Sequence, residues 1–237
     1  TGVPDLGLLS MTEIAHRLEA MVEAVSIPLI ADADTGYGNA LNAQHAARAF
    51  QRAGVAGFHI EDQSFPKKCG HYDDKSIIPT AEMQQKIRAV RDALTDDDFV
   101  IIARTDALAV EGFDRTIERG HAYMEAGADV IFVEAPTTIE QIENISELLP
   151  YPKLINMFHS GKTPLVATQR LAELGYRLVI IPSDLQRAAI GAMARTLEAI
   201  KEDGHSASLQ DQMVSFQDRE RIIGTADYLE RDRRYVG

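Results

Sequence analysis

Phe99-Val100-Ile101-Ile102-Ala103-Arg104 is an apolar run of strand length that ends abruptly in a guanidinium. An unbroken run of β-branched and aromatic residues suits a strand buried on both faces, as in parallel sheets. The same pattern recurs along the chain. Runs at 28–32, 57–61, 129–134, 153–156 and 177–182 end at or near Asp32, Glu61, Glu134, Asn156 and Ser183. Between the runs lie stretches of helical spacing, at 41–53, 81–94, 113–126 and 138–149, with Thr80 and Thr138 placed as caps. Strands separated by single helices must be parallel, which leaves a (β/α) barrel or an open doubly wound sheet. The polar strand ends decide for the barrel. There every C-terminal strand end faces one site, whereas an open sheet gathers only those near its switch point. The expected fold is therefore α/β, a (β/α)8 TIM-type barrel over residues 1–203, with a C-terminal helical arm of the same domain at 204–237. Only six strands are legible where a closed barrel takes eight. The reading thus expects the N-terminal strands to be absent from this chain, with a strand-helix-strand segment of about 40 to 60 residues upstream.

The chain's 237 residues, 45 % of them hydrophobic, can bury one large core. A formal charge of −12 argues against nucleic acid as a partner, because phosphates would be repelled. An anionic substrate would need a local basic pocket, for which Lys67, Lys68, His71 and Arg104 are candidates. A single cysteine excludes internal disulfides, and neither a signal-like start nor a long apolar run is present, so a cytoplasmic, reducing setting and no membrane association are expected.

Two constellations carry chemistry. Lys67-Lys68-Cys69-Gly70-His71 sets the only cysteine beside two lysines and a histidine, in a polar stretch after Pro66 that reads as a loop. A thiol with an ordinary pKa of about 8.5 can exchange protons near neutrality, so this is a candidate acid/base site rather than a small hydrophobe packed in a core. Upstream, Asp32-Ala33-Asp34 ends an apolar run and leads into Thr35-Gly36-Tyr37-Gly38-Asn39. Side chains two apart on a strand share a face, so both carboxylates can address one hard divalent cation. A solvated, Asp-capped turn would account for one of the pair but not for both. Gly36 and Gly38 do not complete a dinucleotide fingerprint, whose third glycine would fall at Leu41.

Taken together, these residues resemble the isocitrate lyase/phosphoenolpyruvate mutase superfamily. The resemblance runs through Pro4-Asp5-Leu6-Gly7, the segment 32–38, Glu61-Asp62-Gln63, the cysteine pentapeptide, Ala103-Arg104-Thr105-Asp106-Ala107 and Val133-Glu134-Ala135-Pro136. The cysteine pentapeptide is similar to that of the carbon–carbon lyase branch, which includes 2,3-dimethylmalate (2-alkylmalate) and methylisocitrate lyases. The resemblance implies a Mg2+-dependent enzyme, with Mn2+ as an alternative ion. Its reaction would cleave a malate-like 2-hydroxy acid to a 2-oxo acid such as pyruvate and a carboxylic acid. It further implies Asp32, Asp34 and Glu61 as the metal set, Cys69 as proton donor with His71, Arg104 and Glu134 catalytic beside it, and Asp5, Lys67, Gly70, Arg104 and Asn156 as substrate contacts. A homotetramer that exchanges a C-terminal helix is implied as well. The other readings are a phosphonomutase, a phosphonopyruvate- or oxaloacetate-processing enzyme of the same superfamily, and a non-catalytic barrel; for Arg104 and Glu134 the alternative is a structural ion pair. The chain departs from the superfamily at Asn156-Met157-Phe158-His159-Ser160-Gly161-Lys162-Thr163-Pro164. Methylisocitrate lyases resemble Asn-x-Thr-Glu-Phe-Gly there and alkylmalate lyases Asn-Met-x-Glu-Gly-Gly-Lys-Thr-Pro, so Met157 and 161–164 favour the alkylmalate group while His159 and Ser160 match neither. Gly161-Lys162-Thr163 is no phosphate loop, since the leading glycine would have to stand at Asn156.

Overall fold

The computed structural model describes residues 2–70, 72 and 74–236. They form two compact units, 1–182 and 183–237. In chain order the first holds α1 (Met11–Ala24), β1 (Ile30–Asp32), α2 (Ala40–Arg52), β2 (Gly57–Glu61), α3 (Thr80–Ala93), β3 (Val100–Thr105), α4 (Ala107–Val110), α5 (Phe113–Glu125), β4 (Val130–Val133), α6 (Ile139–Leu148), β5 (Lys153–Asn156), α7 (Thr168–Glu173) and β6 (Tyr176–Ile180). Among the described residues the six strands make one sheet in the order β1-β2-β3-β4-β5-β6, parallel throughout. That order never reverses, so the sheet has no switch point and the architecture is the barrel-like one.

The strands alternate between two environments because their side chains alternate. Phe58, Ile60, Ile101, Ala103, Ile131 and Val133 face the helices and join one core with Ala43, Ala47 and Phe50 of α2 and Met83, Ile87 and Val90 of α3. Phe50, Phe58 and Phe99 stack edge to face, with centroids 6.0 and 5.4 Å apart. Each ring is essentially solvent-free, worth roughly 1.5–3 kcal/mol per side chain. The intervening residues face the other way. Ile102, Val130, Phe132 and Leu154 close the interior as a small apolar floor. The next residues of the same parity on each strand are Arg104, Glu134 and Asn156, and β2 contributes His59 and Glu61. The interior thus changes from apolar to charged at the C-terminal strand ends.

Helix starts are partly as the sequence suggests. Thr138 Oγ1 accepts from Gln141 N at 3.1 Å, but α3 begins at Thr80 itself, with Pro79 at the cap position and no side-chain cap bond. Pro79 needs no donor there and its fixed φ starts the turn. The second unit comprises α8 (Asp184–Asp203), a 3₁₀ turn (Ala207–Gln212), α9 (Phe216–Ile222) and α10 (Thr225–Tyr235). The long helix to residue 203 therefore groups with the arm rather than with residues 1–182, and Ser183 stands at its cap position instead of at a strand end. The helical arm expected at 204–237 is not one helix, since Gly224 takes the left-handed conformation, φ 71°, between α9 and α10. Among the described residues no helix is long and apolar enough to cross a membrane.

Candidate active site

The carboxylate cluster grows from the end of β1. Asp32 pairs with His59 across the sheet, and its Oδ1 accepts from the Asp34 amide at 2.8 Å. Closing that two-residue turn puts Asp34 at φ 47°, a left-handed conformation that costs a non-glycine residue energy and is typical of functional turns. Gly36 follows at φ 82°, and a Cβ there would stand 2.8 Å from Ile60 Cδ1, so this turn tolerates only glycine. The Asp34 side chain meets Lys67 Nζ at 2.8 Å, and the same ammonium bonds Asp5. His59 Nδ1 lies 3.5 Å from Asp32 Oδ1. A cavity of about 230 Å³, lined in part by Pro4, Asp5, Leu6, Asp32, Asp34 and Tyr37, opens beside the cluster.

Arg104 is the hub of the next layer. Its Nε and Nη2 hold Asp106 at 3.0 and 3.3 Å, its Nη1 lies 3.2 Å from Glu61 Oε2, and Glu134 Oε2 is 3.8 Å from Nε. The guanidinium also stacks over Phe132, 5.3 Å from the ring centre. A guanidinium carries five N–H donors, so these contacts leave donors on both Nη atoms for a ligand. Burial opposes the Arg104 charge, but Glu134, Glu61 and Asp106 outweigh it and hold the group protonated. The carboxylates differ. Burial pushes Glu61 well above the ordinary range despite Arg104, and Glu134 rises for the same reason. Burial and the charge of Asp32 raise Asp34, while at Asp32, whose side chain is half exposed, desolvation is overcome by His59 first and then by Lys67 and Arg104, leaving it below its usual value.

The loop that carries the cysteine is folded onto this hub. Gly70 is buried, and a Cβ on it would fall 2.5 Å from both Arg104 Nη2 and Glu134 Oε1. Glycine is the only residue whose backbone can approach so closely. Cys69 is a half-buried free thiol one residue away. His71, the remaining member of the pentapeptide, lies outside the described residues. At the far end Asn156 is buried beside Glu134, Nδ2 to Oε1 3.5 Å, and its Oδ1 accepts no hydrogen bond in the structure. In the divergent segment Phe158 is half-buried against Gly161, whereas His159 and Ser160 are exposed.

The structure therefore brings Asp5, Asp32, Asp34, Glu61, Lys67, Gly70, Arg104, Glu134 and Asn156 into one connected region. Sequence reasoning gave no role to His59, to Asp106, to Lys75, whose Nζ meets Asp106 Oδ1 at 2.7 Å, or to Gln63, which bonds the Lys68 backbone, although Gln63 and Asp106 stand in the motifs quoted above. His59 and Asp106 share strand parity with Glu61 and Arg104, a signal that was present; Lys75 reaches in from the far side of a loop, which no periodicity reports.

The oxygen donors suit a hard divalent ion. Glu61 is fully buried, yet neither of its oxygens accepts a well-directed hydrogen bond, which is the condition a cation or its bound water would relieve. Among the described residues no three metal-ligating side chains converge tightly enough to hold an ion by themselves. Mg2+ does not require that, since it accepts one or two carboxylates and keeps water in its other positions.

The chain is similar to known proteins along most of its length. The phosphoenolpyruvate phosphomutase family model matches residues 1–201. The 2,3-dimethylmalate lyase of Eubacterium barkeri is 44 % identical over 235 residues, covering 99 % of this chain and 81 % of that protein. The 2-methylisocitrate lyase of Aeropyrum pernix is 40 % identical over 230 residues, covering 97 % and 74 %. Among solved structures, a phosphonopyruvate hydrolase in complex with oxalate and Mg2+ superposes with a TM-score of 0.89 at 32 % identity, over 99 % of this chain and 82 % of that one.

Proposed function

We propose, from the premise that this chain belongs to the phosphoenolpyruvate mutase/isocitrate lyase superfamily, a Mg2+-dependent cleavage of 2-alkylmalates, 2,3-dimethylmalate among them, to a 2-oxo acid and a carboxylic acid. The chain is an enzyme of the lyase group, acting on a malate-like acid. The observation that carries the finer reading is the convergence of Asp32, Asp34, Glu61, Arg104 and Asn156 at the C-terminal strand ends, with the backbone of Gly70 packed against Arg104 and Glu134.

Asp34, with Asp32 and Glu61 around it, is the set that would hold Mg2+, or Mn2+ in its place; the ion supplies Lewis-acid polarisation of the 2-hydroxyl and its neighbouring carboxylate. The rest belongs to the chain. Lys67 neutralises the surplus charge of Asp5 and Asp34. Arg104 offers its remaining Nη donors to a substrate carboxylate, and Glu134 and Asp106 fix the plane of the guanidinium. The 2-hydroxyl gives its proton to a neighbouring carboxylate, its oxygen forms the new C=O as the C2–C3 bond breaks, and the electron pair of that bond moves onto the carboxylate attached to C3, where Arg104 and Asn156 can stabilise the developing charge. The Cys69 thiol then gives its proton to that carbon, completing the carboxylic acid product. Phe158 and His159 stand where methylisocitrate lyases resemble Thr-Glu, and the bulky Phe158 leaves less room and fewer partners for a third carboxylate. We further assign a cytoplasmic homotetramer built by exchange of the C-terminal helix; Leu185 (85 % exposed) and Phe216 (74 %), on the helices of residues 183–237, support a subunit interface there.

Product analysis tests the proposal. Incubation with 2,3-dimethylmalate, methylisocitrate, isocitrate, oxaloacetate and phosphonopyruvate should release pyruvate most efficiently from the alkylmalate. A kcat/KM that favours a tricarboxylate would overturn the substrate choice, and turnover confined to phosphonopyruvate or oxaloacetate would overturn the lyase reaction.

A further inference from the structure

Cys69 is bracketed by two buried side chains that hold the backbone of its immediate neighbours. Gln63, 1 % exposed just past the end of β2, donates from Nε2 to the Lys68 carbonyl at 2.8 Å and accepts from the Lys68 amide at Oε1, 3.0 Å. A flipped amide would set donor against donor at one contact and acceptor against acceptor at the other, so the orientation is fixed by the pair. On the other side of Cys69, Lys75 Nζ donates to the Gly70 carbonyl at 2.5 Å and to Asp106 Oδ1 at 2.7 Å, with its side chain 2 % exposed. The two clamps are themselves joined. Gln63 bridges Ile77 in antiparallel fashion, flanked by Ser64 N to Ser76 O and Ile78 N to Asp62 O, both 2.8 Å. Asp106 also holds Arg104 through Nε and Nη2.

Burying a lysine for an exposed loop's sake would be wasteful, since desolvation of an ammonium is expensive unless its partners are well placed. Here those partners are the carbonyl next to the candidate proton donor and the carboxylate that orients the substrate arginine. We propose that Gln63 and Lys75 are positioning residues: Gln63 fixes the chain before Cys69, and Lys75 fixes it after Cys69 while tying that point, through Asp106, to the plane of Arg104. The proposal rests on Cys69 being the proton donor of the reaction above. It makes the two residues separable. Removing Gln63 disturbs only the thiol and lowers kcat, whereas removing Lys75 also releases Asp106 and so raises KM as well.

The sole cysteine allows a test that needs no turnover. Alkylation of the whole protein by iodoacetamide reports Cys69 alone. With thermal unfolding retained, Gln63→Leu and Lys75→Met should each speed alkylation about tenfold, the change in population that one lost buried hydrogen bond produces. His121→Ala, on α5 where His121 pairs with Tyr151, should leave it unchanged. In steady state Gln63→Leu should lower kcat with KM held, and Lys75→Met should change both. An unchanged alkylation rate in a folded variant would overturn the assignment of that residue. Should either variant fail to fold, amide exchange on the unmodified protein decides: the Lys68 amide should be protected, and exchange at the rate of a free chain would overturn the Gln63 clamp. Full turnover in Cys69→Ser would remove the catalytic reading of the cysteine, while alkylation and exchange would still judge the clamps.

Discussion

Glu61 and Asp62 are consecutive, equally buried carboxylates, and they are treated in opposite ways. Asp62 faces the helices and uses both oxygens: Oδ1 accepts from the Asp106 amide at 2.9 Å, and Oδ2 accepts from Thr105 Oγ1 and Tyr123 Oη at 2.7 Å and from Arg119 Nη1 at 3.3 Å. Glu61 faces the interior with one ion-pair approach from Arg104 and no well-directed hydrogen bond on either oxygen. A buried carboxylate whose oxygens both accept hydrogen bonds is a structural strut, whereas one left short of partners costs stability that only a ligand can return. The period of two that sends one inward and the other outward thus separates function from architecture at a single peptide bond.

The sharpest way to break this contrast is to delete the strut. Asp62→Ala strands the Tyr123, Thr105 and Arg119 donors and should cost about 3–5 kcal/mol, read as a fall in the denaturant midpoint. A loss too small to detect would show the network to be incidental. On the interior side Cys69→Ser should leave stability intact and lower kcat by roughly 10²-fold or more, because a hydroxyl is too weak an acid to protonate a carbanion. Near-normal kcat would contradict that. Glu61→Gln should reverse the pattern of Asp62→Ala: stability little changed, since the Glu61 oxygens have no hydrogen bond to lose and Arg104 keeps Asp106, with activity down about 10- to 100-fold. The smallest effect belongs to charges that neither region uses. Arg115→Ala, which breaks a solvent-exposed pair with Glu118, should leave both the unfolding midpoint and turnover unchanged, and a measurable shift in either would extend the network to the surface.

The barrel was legible because strand parity and the charge at each strand end were both written locally, as at Ile102-Ala103-Arg104. Asp32, Glu61, Arg104, Glu134 and Asn156 came from that rule, which also offered Ser183; Asp34 came from its spacing to Asp32, and the roles of all six came from the family resemblance. What escaped it is equally specific. The grouping of α8 with the arm depends on contacts made far along the chain, which local composition does not encode. Lys75 and Gln63 act through backbone atoms of residues 70 and 68, and a side chain that reads backbone leaves no motif. His59 was overlooked although its parity with Glu61 pointed inward, since an imidazole within an apolar run reads as strand filling. Lys67 came out more central than its place beside the cysteine suggested, because its ammonium sits between Asp5 and Asp34.

The central claim is that the inward carboxylates form a metal site and the outward one does not. Thermal unfolding of the whole chain, with and without saturating Mg2+, addresses it without any substrate. An ion bound only by the native state must raise the midpoint. The account predicts that Mg2+ raises the midpoint of the unmodified protein, that the rise is abolished in Asp34→Ala and reduced in Glu61→Gln, and that it survives intact in Arg115→Ala. An equal rise in Asp34→Ala, or none in the unmodified protein, would contradict it.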